Sequence, residues 1–555
     1  MTTHQCHWEP NARAALVEQL RAGDHRYDLI VVGGGITGAG IYHEAAAKGL
    51  KVLLIEQKDF AWGTSSRSSK MVHGGLRYLA SGQFGLARDA VRERQALLNE
   101  LPGLVEPLPF MMGHYKGGFP GPWVFDKVLA IYDWMAGKRF RQFLKKGLRD
   151  FWLPGLRSDQ LLGATRFADA VTDDARLVMR VLHAGNQSGG HAINYLKALS
   201  PLVQEGSVVG LRLHDEMSGA QFEVAANVVV SATGAWTDAL RSELGQNQVI
   251  RPLRGSHLVV AQWRLPVSFS VSFLHPDDKR PVFAFPWEGV TVIGTTDLDH
   301  QDHLSEEASI SVEEVDYLLR AVNQQFPDAA LCSDDVISTW SGVRPVVSKN
   351  PNQTPDLKQK AKPSDEKREH AIWEDQGMLS VAGGKLTTYR LIAQEVLERA
   401  AAMSNCQWPE ADWSSLSVFS EASAESCLAS KQRMIGRYGE GSVHVDRLCL
   451  EELDGQKLDA FVASTQTRWA ELAYACCYES IVHLDDLLLR RTRLGLLLPL
   501  GGRDLERGIK RICQHYLSWD EAHWQNEWSR YQEIITRHYA LPGALETSCE
   551  ARKTA

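Results

Sequence analysis

Residues 27–75 read YDLIVVGGGITGAGIYHEAAAKGLKVLLIEQKDFAWGTSSRSSKMVHGG, and this stretch sets the architecture. Residues 29–32 form a short apolar, β-branched run with glycines directly behind it, the pattern of an interior parallel strand rather than a helix. Gly33, Gly35 and Gly38 then give G-x-G-x-x-G. The first glycine permits a tight turn, the second lets backbone approach a pyrophosphate, and the third lets the following helix lie close against the sheet. That helix is expected over residues 37–48, from Thr37 to the residue before Gly49, with free N–H groups and its positive dipole end turned to the phosphates. Residues 51–55 read as the second strand, closed by Glu56, which stands where a carboxylate accepts from a ribose hydroxyl. A glycine turn without a ligand is the bland alternative, and the strands on both sides argue against it.

NAD and FAD both use such a unit, and the loop after Glu56 separates them. Gly63, Thr64, Ser65, Ser66, Arg67, Ser68, Ser69 and Lys70 follow one another, a row of donors suited to a diphosphate and an isoalloxazine edge. A second stretch, residues 379–389 (LSVAGGKLTTY), reads as a buried strand, two glycines and a helix opening with Gly384, Lys385, Leu386 and Thr387. A helix N-terminus there suits the pyrimidine end of a flavin, which becomes negative on reduction. Together with residues 63–79, GTSSRSSKMVHGGLRYL, these segments resemble the FAD-dependent (aerobic) glycerol-3-phosphate dehydrogenase family. The family carries Thr where this chain has Ser69, which keeps the hydroxyl. The resemblance covers about residues 27–397 and, more loosely, much of the chain beyond residue 397.

The chain has 555 residues, a net charge of -8 and nine cysteines without a C-x-x-C. Its length calls for two or three domains, with volume for a buried cofactor. The charge argues against a general nucleic-acid binder, and the cysteines suggest neither a disulfide framework nor a dithiol centre. The start, MTTHQCHWEPNARAALVEQL, lacks the basic and apolar regions of a signal peptide, and no run approaches bilayer-spanning length, so a cytoplasmic protein with only peripheral membrane contact is expected. No metal cluster is suggested.

Taken in order, residues 12–20 form one short amphipathic helix in an N-terminal extension, and residues 84–101 and 123–135 two more. Arg77, beside two glycines and Tyr78, can grip an anion in a fork, or form a surface ion pair. Residues 138–152, KRFRQFLKKGLRDFW, read as a basic helix with an aromatic face, either packed in the protein or lying on anionic lipid. Strands are expected at 191–198, 208–214, 221–224 and 227–231, the last leading into Ala232, Thr233 and Gly234, whose bare backbone suits the side of a dinucleotide. Arg254-Gly255-Ser256-His257 and Gly294-Thr295-Thr296-Asp297 end strands with small polar groups able to face a polyol or phosphate. His257 is a base or an ordinary buried histidine. Arg344 precedes Pro345 on an extended, rigid segment, residues 350–370 read as a surface loop, and residues 405–555 are predominantly helical.

The predicted fold is α/β: an FAD-binding Rossmann-like domain of the D-amino-acid-oxidase/glutathione-reductase type, an antiparallel-sheet substrate domain and a helical C-terminal domain. Residues 1–26 are the extension; 27–102, 173–250 and 374–402 the discontinuous FAD domain; 103–172 and 251–373 the substrate cap; and 403–555 the helical domain. The resemblance implies oxidation of sn-glycerol 3-phosphate to dihydroxyacetone phosphate by hydride transfer from C2 to FAD N5, with a quinone as acceptor. An oxidase using dioxygen on glycerol 3-phosphate, or on an amine or amino acid, is the alternative. Arg344 in the family faces the substrate; Arg344, Lys385 and His257 are the expected catalytic groups, and Arg77, Tyr78, Thr295, Thr296, Arg344 and Lys385 the expected substrate ligands. The cofactor residues expected from motif and resemblance are Gly33, Gly35, Thr37, Gly38, Glu56, Gly63, Thr64, Ser65, Ser66, Ser68, Ser69, Lys70, His73, Gly74, Gly75, Ala232, Thr233, Gly234, Gly384, Lys385, Leu386 and Thr387. Family members are peripheral membrane proteins, which points to the cytoplasmic face of an anionic membrane; a homodimer stays open.

Overall fold

The structure is a computed structural model describing residues 8, 12–23, 26–80, 82–145, 147, 152–348, 370–404, 408–409, 415–416, 419 and 429–543. It is built on two sheets. In the first, the order is Ala371–Asp375, Met378–Ala382, Gln221–Ser231, Arg26–Val32, Val52–Ile55 and His191–Ile193. All neighbours in this path are parallel except the first pair. The strand Arg26–Val32 is buried along most of its length, as its apolar run requires in a sheet covered on both faces. The helix Ile36–Ala47 covers one face with almost no exposed residue. An antiparallel flap, Leu196–Gln204 and Ser207–Asp215, extends the strand Gln221–Ser231.

The second sheet runs Leu298–Asp299, Ile250–Ala261, Val290–Gly294, Pro281–Trp287, Ser270–Leu274, Val105–Tyr115, Leu161–Thr172 and Met71–Val72, with Val336–Val347 also on Ile250–Ala261 and Gln142–Leu144 on Leu161–Thr172. All pairings are antiparallel except Ser270–Leu274 with Val105–Tyr115. Met71–Val72, which leaves the loop behind Glu56, pairs with Leu161–Thr172. That loop is therefore anchored in both sheets.

Two expectations change here. The segments 221–224 and 227–231 are one strand, Gln221–Ser231. Residues 138–152 are not a single basic helix: Gln142–Leu144 is a strand paired with Thr165 and its neighbours, and residues 146 and 148–151 lie outside the described residues. Phe143 and Leu144 thereby point to opposite faces of a sheet edge. The helical periodicity had counted both on one side. The loop expected over 350–370 lies, except for His370, outside the described residues.

Over residues 429–543 the chain is mostly helical, with Ala429–Tyr438, Ser442–Leu448, Trp469–Tyr478, Glu506–Leu517 and Glu521–Ile534, and one small hairpin pairs Glu452–Leu453 with Gln456–Lys457. Its apolar faces share one core with Phe285, Trp287 and Trp340 of the second sheet. A π-helical turn, Asp486–Arg491, brings Arg490 and Arg491 onto Asp59, with N–O distances of 2.5 and 2.7 Å. All three side chains are essentially buried.

Candidate active site

Gly33 sits at φ +112°, and a Cβ there would lie 2.6 Å from the Ala232 carbonyl oxygen. Only glycine lets the ends of the two central strands touch. A Cβ at Gly38 would lie 1.9 Å from the Gly33 oxygen, so the third glycine fixes the close approach of helix to strand. Glu56 accepts from Gly34 N–H (2.7 Å) and Lys58 N–H (2.9 Å). Burial raises its pKa against the pull of those two donors, and they fix the carboxylate's orientation. Beside them opens a cleft whose wall joins Gly33, Gly35, Thr37 and Glu56 to Gly63, Thr64, Ser65 and Ser68, to Ala232, Thr233 and Gly234, and to Gly384, Lys385 and Leu386. A glycine turn without a Cβ, the N-terminal end of a helix and an oriented carboxylate at one end, with a second glycine-led helix start at the other, fit an adenine dinucleotide carrying a flavin.

The loop behaves differently from the donor row expected of it. Ser65 Oγ accepts from Ile36 N–H at 2.9 Å, lying over the helix N-terminus while still lining the cleft. The Thr64 hydroxyl donates to the Val343 carbonyl. Ser68 donates from both N–H and Oγ to Asp174 Oδ2, at 2.9 and 2.7 Å. Lys70 was expected to serve the cofactor; instead its fully buried ammonium lies 2.8 Å from Asp174 Oδ1, 2.5 Å from the Ser66 carbonyl, and over the ring of Trp340. Burial and Arg493 lower its pKa to about 7 while Asp174 pulls upward. Ser66, Ser69 and Lys70 do not line the cleft, because a loop anchored in two sheets turns these side chains into the protein. Nor do His73, Gly74 and Gly75: the His73 carbonyl accepts from Thr387 Oγ1 at 3.2 Å, and Gly74 N–H donates to Asp169 at 3.1 Å. Thr387 is thus a buried brace rather than a cleft donor.

On the substrate-sheet side, Arg344 lies on Val336–Val347 with its guanidinium 3.2 Å from Asp297 Oδ1 and 3.4 Å from Thr295 Oγ1. Its side chain is 26 % exposed, whereas Asp297 is buried. A Cβ at Gly255 would lie 2.8 Å from both Arg344 and Thr295, so this glycine makes room for the pair. Thr296 is corrected: its hydroxyl is buried, 2.5 Å from Glu314 and accepting from Ser256 N–H at 2.8 Å.

His257 stacks on Trp340, with ring centroids 4.9 Å apart, and its Nε2 is 2.9 Å from Ser69 Oγ. Burial first, then Arg344 and Lys70, push its pKa well below the ordinary value, so the ring is neutral near pH 7. Its Nδ1 has no hydrogen-bond partner among the described residues. Across the loop, the Lys385 ammonium lies 3.7 Å from the centre of the Tyr78 ring. Arg77 is on the short helix Leu76–Ala80, and its side chain lies outside the described residues.

Several cleft residues were not foreseen. Trp62 and Trp236 stand 5.7 Å apart at the wall, and Lys197 enters it from the antiparallel flap. Nothing local marks Lys197, since its role depends on where the flap folds back. Asp174, the first residue of the helix Asp174–Gln187, gathers Ser68, Lys70 and Arg493, the last at 3.0 Å.

Residues 28–390 match the family model described as FAD dependent oxidoreductase, and residues 408–524 that of the C-terminal domain of alpha-glycerophosphate oxidase. Glycerol-3-phosphate dehydrogenase 2 of Mycobacterium tuberculosis is 33% identical over 540 residues, 93% of this chain and 89% of that protein. The aerobic glycerol-3-phosphate dehydrogenase of Staphylococcus haemolyticus is 32% identical over 499 residues, 84% of this chain and 87% of that one. The solved glycerol-3-phosphate dehydrogenase from Bacillus halodurans complexed with FAD superposes with a TM-score of 0.74 at 27% identity, covering 95% of this chain and 98% of that one.

Proposed function

The chain belongs to the FAD-dependent glycerol-3-phosphate dehydrogenase family, and we propose that it oxidises the C2 hydroxyl of sn-glycerol 3-phosphate to give dihydroxyacetone phosphate, with a quinone as electron acceptor. The observation that carries this reading is the single cleft whose wall runs from the dinucleotide turn at Gly33 to Lys385 and to Pro345, the neighbour of Arg344. The cofactor is FAD, which when bound supplies the acceptor for the hydrogen and two electrons leaving C2.

The protein's own groups do the rest. With FAD bound, Glu56 would hold a ribose hydroxyl, and the N-terminal end of Ile36–Ala47, whose first N–H is on Ser65 Oγ, would offer its positive dipole end to the diphosphate. Arg344, held between Asp297 and Thr295, grips the substrate phosphate or orients its hydroxyl. Lys385 adds positive charge at the end of the cleft where a reduced flavin becomes anionic. The neutral His257 ring stands behind the cleft wall, bonded through Nε2 to Ser69 Oγ, and in this reading it positions the loop rather than touching the hydroxyl. We assign residues 27–102, 173–250 and 374–402 to the FAD-holding unit and 103–172 and 251–373 to the substrate cover. A membrane quinone implies residence on the cytoplasmic face of a membrane; among the described residues no helix is long and apolar enough to cross one.

The match of residues 408–524 to a glycerophosphate oxidase domain gives a second reading, with dioxygen as acceptor. Enzyme reduced anaerobically with sn-glycerol 3-phosphate separates the two. Rapid reoxidation by a short-chain quinone, with slow reaction in air and little hydrogen peroxide, is expected. Stoichiometric peroxide at comparable rate would establish the oxidase instead.

A further inference from the structure

The strand Ile250–Ala261 runs between Leu298–Asp299 and Val336–Val347, and its Leu253 pairs with both Asp299 and Arg344. Asp299 and Arg344 are therefore two strand spacings apart, roughly 10 Å, with a third backbone between them. The Arg344 side chain spans that gap by lying across Gly255, where a Cβ would come within 2.8 Å of its Nη2. Its Nη1 then donates to Asp297 Oδ1 at 3.2 Å. An arginine extended over a neighbouring strand keeps one pose only if its far end is held.

Asp297 is itself held by Arg280. That arginine lies in the turn between Ser270–Leu274 and Pro281–Trp287. Phe283 pairs with Gly294 in an antiparallel register, so the chain entering the first strand runs beside the chain leaving the second, and Arg280 comes level with Asp297. Its Nη2 lies 2.8 Å from Asp297 Oδ2, and its Nη1 donates to the Asp297 backbone carbonyl at 3.0 Å. Each carboxylate oxygen thus faces a different guanidinium, and the main chain is tied as well. The Asp297 side chain is 1 % exposed, whereas those of Arg280 and Arg344 are 25 % and 26 % exposed. A carboxylate enclosed in this way stays put while the arginine it orients reaches outward.

We propose that Asp297, braced by Arg280, is a positioning residue for the oxidation of glycerol 3-phosphate: it sets the plane in which the Arg344 guanidinium meets the substrate. Guanidinium donors lie in one plane, so their direction as well as their charge decides how a phosphate or hydroxyl is held. A freed guanidinium still attracts a dianion, but a substrate held in the wrong plane has its C2 turned from the hydride acceptor. Misplacement of this kind costs more in rate than in affinity. The inference rests on the reading of Arg344 as the cation that meets the substrate, and it adds Asp297 and Arg280 as residues acting through it.

The test compares wild type, Asp297→Asn and Arg280→Met as FAD-loaded full chains. The rate constant of flavin reduction at saturating glycerol 3-phosphate should fall about tenfold or more in both variants. Their affinity for dihydroxyacetone phosphate, read from the flavin spectrum, should stay within about threefold of wild type. Should Asp297→Asn fail to fold, Arg280→Met carries the test, and its flavin content and melting temperature should match wild type. In an Arg344→Lys background Arg280→Met should cost less than about twofold, because the fork it steadies is gone. Three results would overturn the proposal: wild-type reduction by Arg280→Met, an equal loss with Arg or Lys at position 344, or a rate loss that follows flavin content or melting temperature. Unaffected variants of a wild type that oxidises glycerol 3-phosphate remove this inference alone, whereas a wild type that does not oxidise it removes the functional reading and this inference together.

Discussion

At the scale of single residues, the site divides into positions fixed by sterics and positions fixed by neighbours. Gly33 and Gly38 were legible in sequence because a Cβ at either would strike backbone. Ser66, Ser69, Lys70 and Thr296 were not, because the direction of a side chain on a loop or strand end depends on partners such as Asp174, His257 and Glu314, which are distant in sequence. The proposed role of Arg344 rests on the fork geometry of a guanidinium held by Asp297 and Thr295. Replacing Arg344 with Lys keeps the charge and loses the fork, so kcat/KM for glycerol 3-phosphate should fall by about a hundredfold or more, on the order of 3 kcal/mol, while bound FAD stays unchanged. Steady-state kinetics with flavin quantification checks this. His257, whose pKa lies well below 6.5 for reasons of burial and of nearby Arg344 and Lys70, is neutral at every pH above its lowered value. The kcat/KM profile of wild type should therefore show no His257 limb near pH 6.5, any such limb falling at lower pH. A fall through pH 6.5 that vanishes in His257→Asn would contradict it.

At the scale of elements, the C-terminal helices act as a clamp behind the cofactor loop. Arg493 donates to the Ser66 carbonyl at 2.7 Å and to Asp174 at 3.0 Å, and Arg490 and Arg491 close on Asp59. Each charge is buried, so deleting one partner strands the other. Arg493→Met should cost about 3–5 kcal/mol in denaturant unfolding and weaken FAD retention, since Ser66 loses one of its two cationic donors. The same clamp sets the acid limit. Burial raises the carboxyl pKa of Asp173 and Glu479, but Arg493 and Arg437 for the first, and Arg176 for the second, outweigh it and hold both at about 2. Depressed folded-state values mean that this stability is complete above the unfolded-state values near 4 and is lost as pH falls from there through about 2, on the order of 2 kcal/mol per group. Acid titration of wild type beside Glu479→Gln should show the variant less stable at pH 7 and with a shallower loss below pH 4. Residues 485–493 read DDLLLRRTR, arginines crowded behind two acids. That these arginines reach Asp59 and Asp174 was not visible there, because hundreds of residues separate the partners. Residues 138–152 misled for a related reason: a run of alternating and paired apolar residues satisfies helical and strand periods together, and pairing with Leu161–Thr172 chose the strand.

At the scale of the whole molecule, the opening βαβ unit made the doubly covered parallel sheet legible, and the later glycine-led helix start at Gly384 fixed how the chain returns to it. The order of the antiparallel sheet, and the cleft it forms against the first, come from strand pairings that no local pattern encodes. Pro345, carrying Arg344 beside it, and Lys385 come to that cleft from separate elements, far along the chain from the turn that holds the dinucleotide. The most direct measurement is an anaerobic titration of the FAD-loaded protein with sn-glycerol 3-phosphate, followed at the flavin band near about 450 nm, with Arg344→Met measured alongside. Wild type should bleach fully at one equivalent and yield dihydroxyacetone phosphate, while Arg344→Met keeps its colour with substrate and loses it with dithionite. A wild-type band that persists with glycerol 3-phosphate, or an Arg344→Met variant that bleaches as readily as wild type, would contradict the assignment of this cleft to that alcohol.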